Sequence, residues 1–246
     1  MMNPEDYQVV VVAGGYGKGL MHRTQNKFPK CLIKVRDKAL LDYCLELYKE
    51  NGFEDFVFLL GYLAEKIVEH VKSNYKINAR FSIEERSLGK GGAIKYALDR
   101  GVIDKKKSSI ITYPDDVILQ RDFPTKFIEC YEEKREEGAI AAVACVEKVR
   151  LRYGFFEVDE KNFAVKFEEK PWIKGKISVG TYVIDPETYK LFNFELKEPI
   201  DFEGTVVKEI CEMGKLACFV IDSESWVPFN DEKDFEEGEK KLAKLL

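Results

Sequence analysis

Residues 9–12 form an unbroken β-branched run and residues 56–60 an unbroken apolar one. Runs of that length without polar alternation predict strands buried on both faces, as at the centre of a parallel sheet. Residues 79–83, 109–113, 139–146 and 217–221 predict further strands, and 32–35 a short one. Between them the apolar positions fall at helical spacing. Leu40, Cys44, Leu47 and Tyr48 mark a helix over about 39–51, closed by Gly52. Leu63, Ile67, His70 and Val71 mark a second, and Ala93, Ile94, Ala97 and Leu98 a third that runs to Gly101. A fourth covers about 124–137. Strand and helix alternate through the first half, which predicts a mostly parallel sheet with helices on both faces. After residue 150 the pattern changes. Residues 153–159, 163–169 and 177–184 are strand-like, with turns at 160–162 and 172–176, and are expected to wall one side of a pocket. Helices near 203–213 and 232–245 complete the chain.

Composition narrows the class. With 45% hydrophobic and 34% charged residues, the 246-residue chain can bury a sizeable core. Its net charge of -5 argues against nucleic acid as a main partner. No apolar run reaches the length of a membrane span, and the first residues, MMNPEDYQ, are acidic, so a cytoplasmic protein without a membrane partner is expected. The six cysteines include no C-x-x-C pair, and Cys44 and Cys145 lie in apolar patterns as small core residues. Two histidines leave few candidates for a zinc site or a Ser-His-Asp triad, and His70 reads as a helix-face residue.

The chemistry concentrates after the first strand, which discharges into Gly14, Gly15, Gly17 and Gly19, with Lys18, Arg23, Lys27 and Lys30 in or just after the loop. Glycines let backbone N–H groups approach anionic oxygens, so a polyphosphate is the natural guest. The loop does not open directly into a helix, as a dinucleotide fingerprint requires, and Gly19 is followed by Leu20, so it is not a P-loop either. A second glycine loop runs from Glu84 to Gly92. Asp115 and Asp116 close the strand at 109–113, where a carboxylate could hold Mg²⁺ beside a phosphate.

These segments resemble the sugar nucleotidyltransferases (NDP-sugar pyrophosphorylases). The resemblance is carried by Ala13-Gly14-Gly15-Tyr16-Gly17-Lys18-Gly19-Leu20 with Pro29-Lys30, by the segment Gly61 to Ile67, and by Ser82 to Ile94, similar to the family's base loop. Arg152-Tyr153-Gly154 and Phe167-Glu168-Glu169-Lys170-Pro171 match its sugar-side motifs. The resemblance implies an α/β fold, a Rossmann-like three-layer sandwich of GT-A type with a mostly parallel central sheet. It implies a single domain over 1–246, with a nucleotide-binding half at 1–150 and a sugar-phosphate half with C-terminal helices at 151–246. By the same resemblance Ala13, Gly14, Gly15, Gly17, Leu88, Gly89 and Lys90 bind nucleotide, and Gly154, Glu169, Lys170 and Gly180 bind sugar phosphate. Asp115 holds Mg²⁺, and Lys30, Lys18, Arg23 and Asp115 carry catalysis. The implied substrates are a nucleoside triphosphate and a sugar 1-phosphate, with guanine the base that the 82–94 loop favours; a homo-oligomer is compatible. Two departures stand out: Gly19 occupies the place of a family arginine, and Pro228 that of an aspartate ligand in W-x-D-x-G. Lys18 or Arg23 is expected to replace the lost charge. Two other readings stay open, a non-catalytic nucleotide-binding regulator and a cytidylyltransferase acting on a phospho-alcohol.

Overall fold

A computed structural model describes residues 3–245. The apolar runs become the middle of its sheet. In chain order the strands are β1 (Tyr7–Val12), β2 (Lys34–Val35), β3 (Lys38–Ala39), β4 (Asp55–Leu60), β5 (Asn78–Ile83), β6 (Ser108–Thr112), β7 (Asp116–Ile118), β8 (Ala141–Arg150), β9 (Gly154–Val158), β10 (Ala164–Glu169), β11 (Trp172–Ile184), β12 (Leu216–Ile221) and β13 (Trp226–Pro228). The helices are α1 (Met21–Thr24), α2 (Leu40–Glu50), α3 (Ala64–Asn74), α4 (Gly89–Asp99), α5 (Phe123–Glu136), α6 (Lys208–Glu212) and α7 (Glu232–Leu245).

Seven strands form one sheet in the order β12-β8-β11-β6-β1-β4-β5. Every neighbouring pair is parallel except those made by β11, which runs against β6 and β8. Successive side chains of a strand point to opposite faces, and here each face carries its own helices. Val9, Val11, Phe56 and Phe58 pack under α2, α3 and α5 through Leu45, Ile67 and Phe127. Val10, Val57 and Ile111 pack under α4 and α6 through Ile94, Ala97 and Ile210. The result is the three-layer α/β arrangement. A third cluster, with Leu20, Val117, Phe229, Phe235 and Leu242, fastens α7 and β13 beneath the first glycine loop.

Several boundaries differ from expectation. The first glycine loop, expected not to open directly into a helix, is followed by the short helix α1 at Met21–Thr24. The helix expected from Ala93 starts at Gly89, so the second glycine loop is the first turn of α4. Gly91 N–H donates to the Ile200 carbonyl at 2.9 Å, so these glycines admit a neighbouring chain. The turn expected at 172–176 is strand, because Trp172 and Lys174 find register partners in Arg150 and Lys148 of β8. The helix expected at 203–213 begins as a π-helical turn, Glu203–Val207, before α6.

Candidate functional site

The site grows from the end of β1. Ala13 N–H donates to the Leu59 carbonyl at 2.9 Å, and the Gly14 carbonyl accepts from Tyr62 N–H at 3.1 Å. A Cβ on Gly14 would stand 3.1 Å from the Gly61 nitrogen, so the loop lies flat against the chain leaving β4. Gly17 takes φ +62°, and a Cβ there would stand 2.6 Å from Lys30 Cβ. Only glycine admits both the left-handed turn and that approach. The fold-back delivers Lys30, whose Nζ donates to Asp115 Oδ2 at 2.6 Å. Their side chains are 14% and 27% exposed, so the pair is enclosed but not sealed. It faces a cavity of about 310 Å³ lined by Gly14, Gly15, Lys30, Lys90, Asp115 and Asn230, among others.

A second cavity of about 390 Å³ adjoins the first and shares Lys90, Tyr113, Asp116 and Asn230 with it. Its remaining wall includes Ser178, Gly180, Asp201 and Glu203. Tyr113 OH donates to Glu203 Oε1 at 3.0 Å, and Lys90 Nζ stands 2.6 Å from Glu203 Oε2. Carboxylates and hydroxyls together suit a ligand rich in hydroxyl groups. Gly180 is left-handed, with φ +77°, and a Cβ there would stand 2.7 Å from Asp116 Oδ2. Burial, reinforced by neighbouring Asp115, pushes the Asp116 carboxyl up to about 7, while the Trp226 indole N–H, donating to Oδ1 at 2.9 Å, opposes the shift. Burial likewise raises Glu84 to about 7, against the Leu88 N–H that donates to its Oε2 at 3.3 Å.

Of the residues singled out in the sequence, Ala13, Gly14, Gly15, Gly17, Lys30, Lys90 and Asp115 come together around the first cavity, and Lys90 and Gly180 line the second. Leu88 and Gly89 stand behind: Leu88 is buried, its N–H is used by Glu84, and its carbonyl accepts from Ile200 N–H at 2.8 Å. Lys170 lines a third cavity, of about 500 Å³, with Arg152, Trp226, Pro228 and Asn230. Gly154 and Glu169 lie opposite each other at the base of the exposed β9–β10 hairpin. A Cβ on Gly154 would stand 2.6 Å from Phe167 Cε2, so that glycine makes room for a ring.

Two of the expected catalytic cations are elsewhere. Arg23 donates Nε to Glu232 Oε1 and Oε2 at 3.1 and 2.8 Å, and its guanidinium lies 3.8 Å from the Phe235 ring centroid. It clasps α7 instead of entering the cleft. Lys18 is exposed and lines none of the three cavities. Gly19 is not a vacant arginine position, because a Cβ there would collide with the Asn230 carbonyl oxygen. His70 bonds to Asp42 through Nε2 at 2.6 Å, as a helix-face residue. Sequence reasoning missed Tyr113, Asp201 and Glu203, which carry no local motif and meet only through the fold, and Asn230, which stands at the last position of the segment aligned with W-x-D-x-G. Among the described residues no group of three or more His, Cys, Asp or Glu could hold a metal ion. Asp115 and Asp116 both line the cavity beside the loop, Asp115 paired with Lys30 and Asp116 with Trp226 through Oδ1, and a cation there would need further oxygens from a ligand, the habit of Mg²⁺.

This arrangement, a glycine loop facing a lysine–aspartate pair at the carboxyl ends of a mostly parallel sheet, is that of a nucleotide-handling α/β protein. The family model for nucleotidyl transferases matches residues 8–244, and the chain belongs to that family. It is 27% identical over 234 residues to the mannose-1-phosphate guanyltransferase of Saccharomyces cerevisiae, covering 93% of this chain and 63% of that protein. The chain thus spans less than two thirds of the yeast enzyme's length. It is 28% identical over 218 residues to the D-glycero-alpha-D-manno-heptose 1-phosphate guanylyltransferase of Campylobacter jejuni, covering 87% of this chain and 91% of that one. Among solved structures, HddC from Yersinia pseudotuberculosis, complexed with GMP-PN, shares the fold with a TM-score of 0.65 at 22% identity, covering 96% of this chain and 99% of that one. The inositol-1-phosphate CTP transferase from T. maritima shares it with a TM-score of 0.70 at 17% identity, over 97% of this chain and 95% of that one. No helix among the described residues is long and apolar enough to cross a membrane.

Proposed function

We propose that this protein joins a nucleoside triphosphate to a sugar 1-phosphate, releasing pyrophosphate and a nucleotide-sugar. The observation that carries the reading is the Lys30–Asp115 pair, 2.6 Å apart at the edge of the glycine-loop cavity. In the reaction an oxygen of the sugar phosphate attacks the α-phosphorus, a P–O–P bond forms, and the bond to the β-phosphate oxygen breaks as pyrophosphate leaves. Such a transfer needs positioning and charge neutralisation more than a covalent nucleophile. Backbone amides of Gly14, Gly15 and Gly17 receive the leaving phosphates. Lys30, held in place by Asp115, neutralises the α-phosphate. Mg²⁺ on Asp115 would supply further neutralisation of the phosphate oxygens. The cavity with Asp201, Glu203, Ser178 and Tyr113 receives the sugar hydroxyls, and Lys170 stands on the phosphate side of the acceptor.

Guanine is the base this reading favours. Glu84 stands beside the first glycine loop, with Oε1 3.4 Å from where a Gly14 Cβ would be. Oε2 is taken by the Leu88 N–H, and above its pKa of about 7 the ionised carboxylate leaves Oε1 free to accept an N–H donor such as the N1–H of guanine. The yeast and Campylobacter relatives are both guanylyltransferases by name.

The test supplies GTP, CTP, UTP or dTTP with Mg²⁺ and a panel of hexose and heptose 1-phosphates, following pyrophosphate and identifying the product by mass. GTP with a manno-configured 1-phosphate is the expected pair. GTP binding without turnover on any acceptor would make the protein a nucleotide-binding regulator, and CTP turnover with a phospho-alcohol would make it a cytidylyltransferase.

A further inference from the structure

The wall between the two adjoining cavities carries a movable charge. Among the described residues Lys90 is the one cation common to the glycine-loop cavity and the Gly180–Glu203 cavity. The backbone around it is fastened. Ile200 N–H donates to the Leu88 carbonyl at 2.8 Å, and the Ile200 carbonyl accepts from Gly91 N–H at 2.9 Å. Gly89 takes φ +72°, and a Cβ there would collide with the Ile200 carbonyl oxygen. The first turn of α4 is thus stitched to the start of the segment that carries Asp201 and Glu203, and adjustment falls to the side chains. Lys90 Nζ stands 2.6 Å from Glu203 Oε2, 3.9 Å from Asp201 Oδ1 and 4.9 Å from the centroid of the Tyr113 ring. Tyr113 OH donates to the other Glu203 oxygen at 3.0 Å. Both oxygens of Glu203 are therefore engaged by the chain itself, and so is the cation that borders both cavities. The Lys90 side chain is 41% exposed, which leaves its stem room to swing.

We propose that Lys90 couples the two substrates, its ammonium exchanging between Glu203 and Asp201 on the acceptor side and the phosphates of the nucleotide on the other. The inference rests on the nucleotidyltransferase reading of the cleft. Lysine suits such an exchange, being a compact charge with three donors on a flexible four-carbon stem. A polyphosphate in the glycine-loop cavity draws the ammonium off Glu203, and the relieved carboxylate then accepts from hydroxyl donors of the acceptor. Whichever substrate arrives first breaks the ion pair, and the second does not have to break it again. Each therefore binds more tightly in the presence of the other, by a factor that is the same in both directions. In this role Lys90 is a positioning residue, and its signature is the coupling between the two substrates.

Calorimetric titration with α,β-methylene GTP, whose α–β bridge cannot be broken, measures that coupling without turnover, with and without saturating mannose 1-phosphate. In the unaltered protein the sugar phosphate is expected to tighten binding of the analogue at least about fivefold, the low end of such couplings. Lys90→Met is expected to weaken the analogue by itself several-fold and to bring the coupling factor to one. Glu203→Gln, which keeps the shape of the side chain, is expected to act on the analogue alone with the opposite sign, tightening it because the ammonium is released, while also removing the factor. A Lys90–Glu203 pair that served only to hold the wall together would weaken the analogue in both variants, and that result overturns the proposal. Survival of the factor in Lys90→Met overturns it too. So does its absence from an unaltered protein that turns over GTP, which leaves the nucleotidyltransferase reading intact. Failure of the unaltered protein to bind the analogue at all overturns both.

Discussion

β1 and β10 are both six-residue strands, and they could hardly be held more differently. Val9, Val10 and Val11 of β1 are fully buried, whereas Val165 and Phe167 of β10 are 64% and 55% exposed. β1 is fixed by two parallel neighbours and two layers of helix. β10 has a single partner, β9, together with the Lys166 bridges to Glu157 and Glu168 and the contact of the Phe156 and Phe167 rings. An isolated two-stranded ribbon is marginal by itself. The difference divides the labour of the cleft. The glycine loop hangs from a strand held on both edges and both faces, whereas Glu169 and Lys170 stand at the foot of a ribbon held on one edge only, so the geometry around the loop is fixed while the ribbon side is free to vary.

The sharpest test of that contrast compares two phenylalanines. Phe58→Ala, in the core of β4, is expected to cost about 3–5 kcal/mol in urea unfolding, whereas Phe156→Ala in the ribbon should cost about 0.5–1 kcal/mol. Equal costs would mean that the ribbon is as firmly packed as the sheet. Next in size, Asp115→Asn is expected to lower pyrophosphate release about a hundredfold, the scale of losing one preorganised charged group, with no change in circular dichroism. A fully active Asp115→Asn protein would move the reacting centre off the stiff half.

Smaller still is a pH effect at Glu84. Its folded-state pKa, raised to about 7 from 4.5, means that the folded protein holds a proton the unfolded chain has lost between those values. Stability should therefore fall as pH rises through that window and level off above it. Glu84→Gln should abolish that slope and recover about 1 kcal/mol at pH 8, the shift being discounted for solvent screening of a half-buried side chain, measured by denaturant midpoints at pH 4.5 and pH 8. An unchanged slope would place the carboxylate in water. The smallest stability effect is expected from Lys170→Ala, within about 0.5 kcal/mol, together with a raised KM for the sugar phosphate and an unaltered KM for GTP. A shift confined to the GTP KM would assign the third cavity to the wrong substrate.

What could be read in the chain follows the same division. Residues 9–12 and 56–60 announced themselves because a strand buried on both faces must be apolar at every position. Lys30 and Asp115 were legible because each closes a motif next to such a strand. The strand at 172–174 was hidden, since its Trp, Ile and Lys look like a turn until Lys148 to Arg150 supply register across the sheet. Arg23 was misread for the same kind of reason: its partner, Glu232, lies 209 positions away, and nothing near residue 23 discloses it. Asn230 and Glu203 belong to that class too, being residues whose neighbours are chosen by tertiary packing.

β11 alone among the seven strands opposes its neighbours, and its thirteen residues start at the foot of the ribbon and finish in the core. Midway sits Gly180, pressed against Asp116. A tug on Trp172 therefore has a covalent route inward along one extended chain, with two bulges, at Lys174/Ile177 and Ser178/Tyr182, as its only slack. A displacement at the foot of the ribbon would be felt, strand-lengthwise, at the paired aspartates.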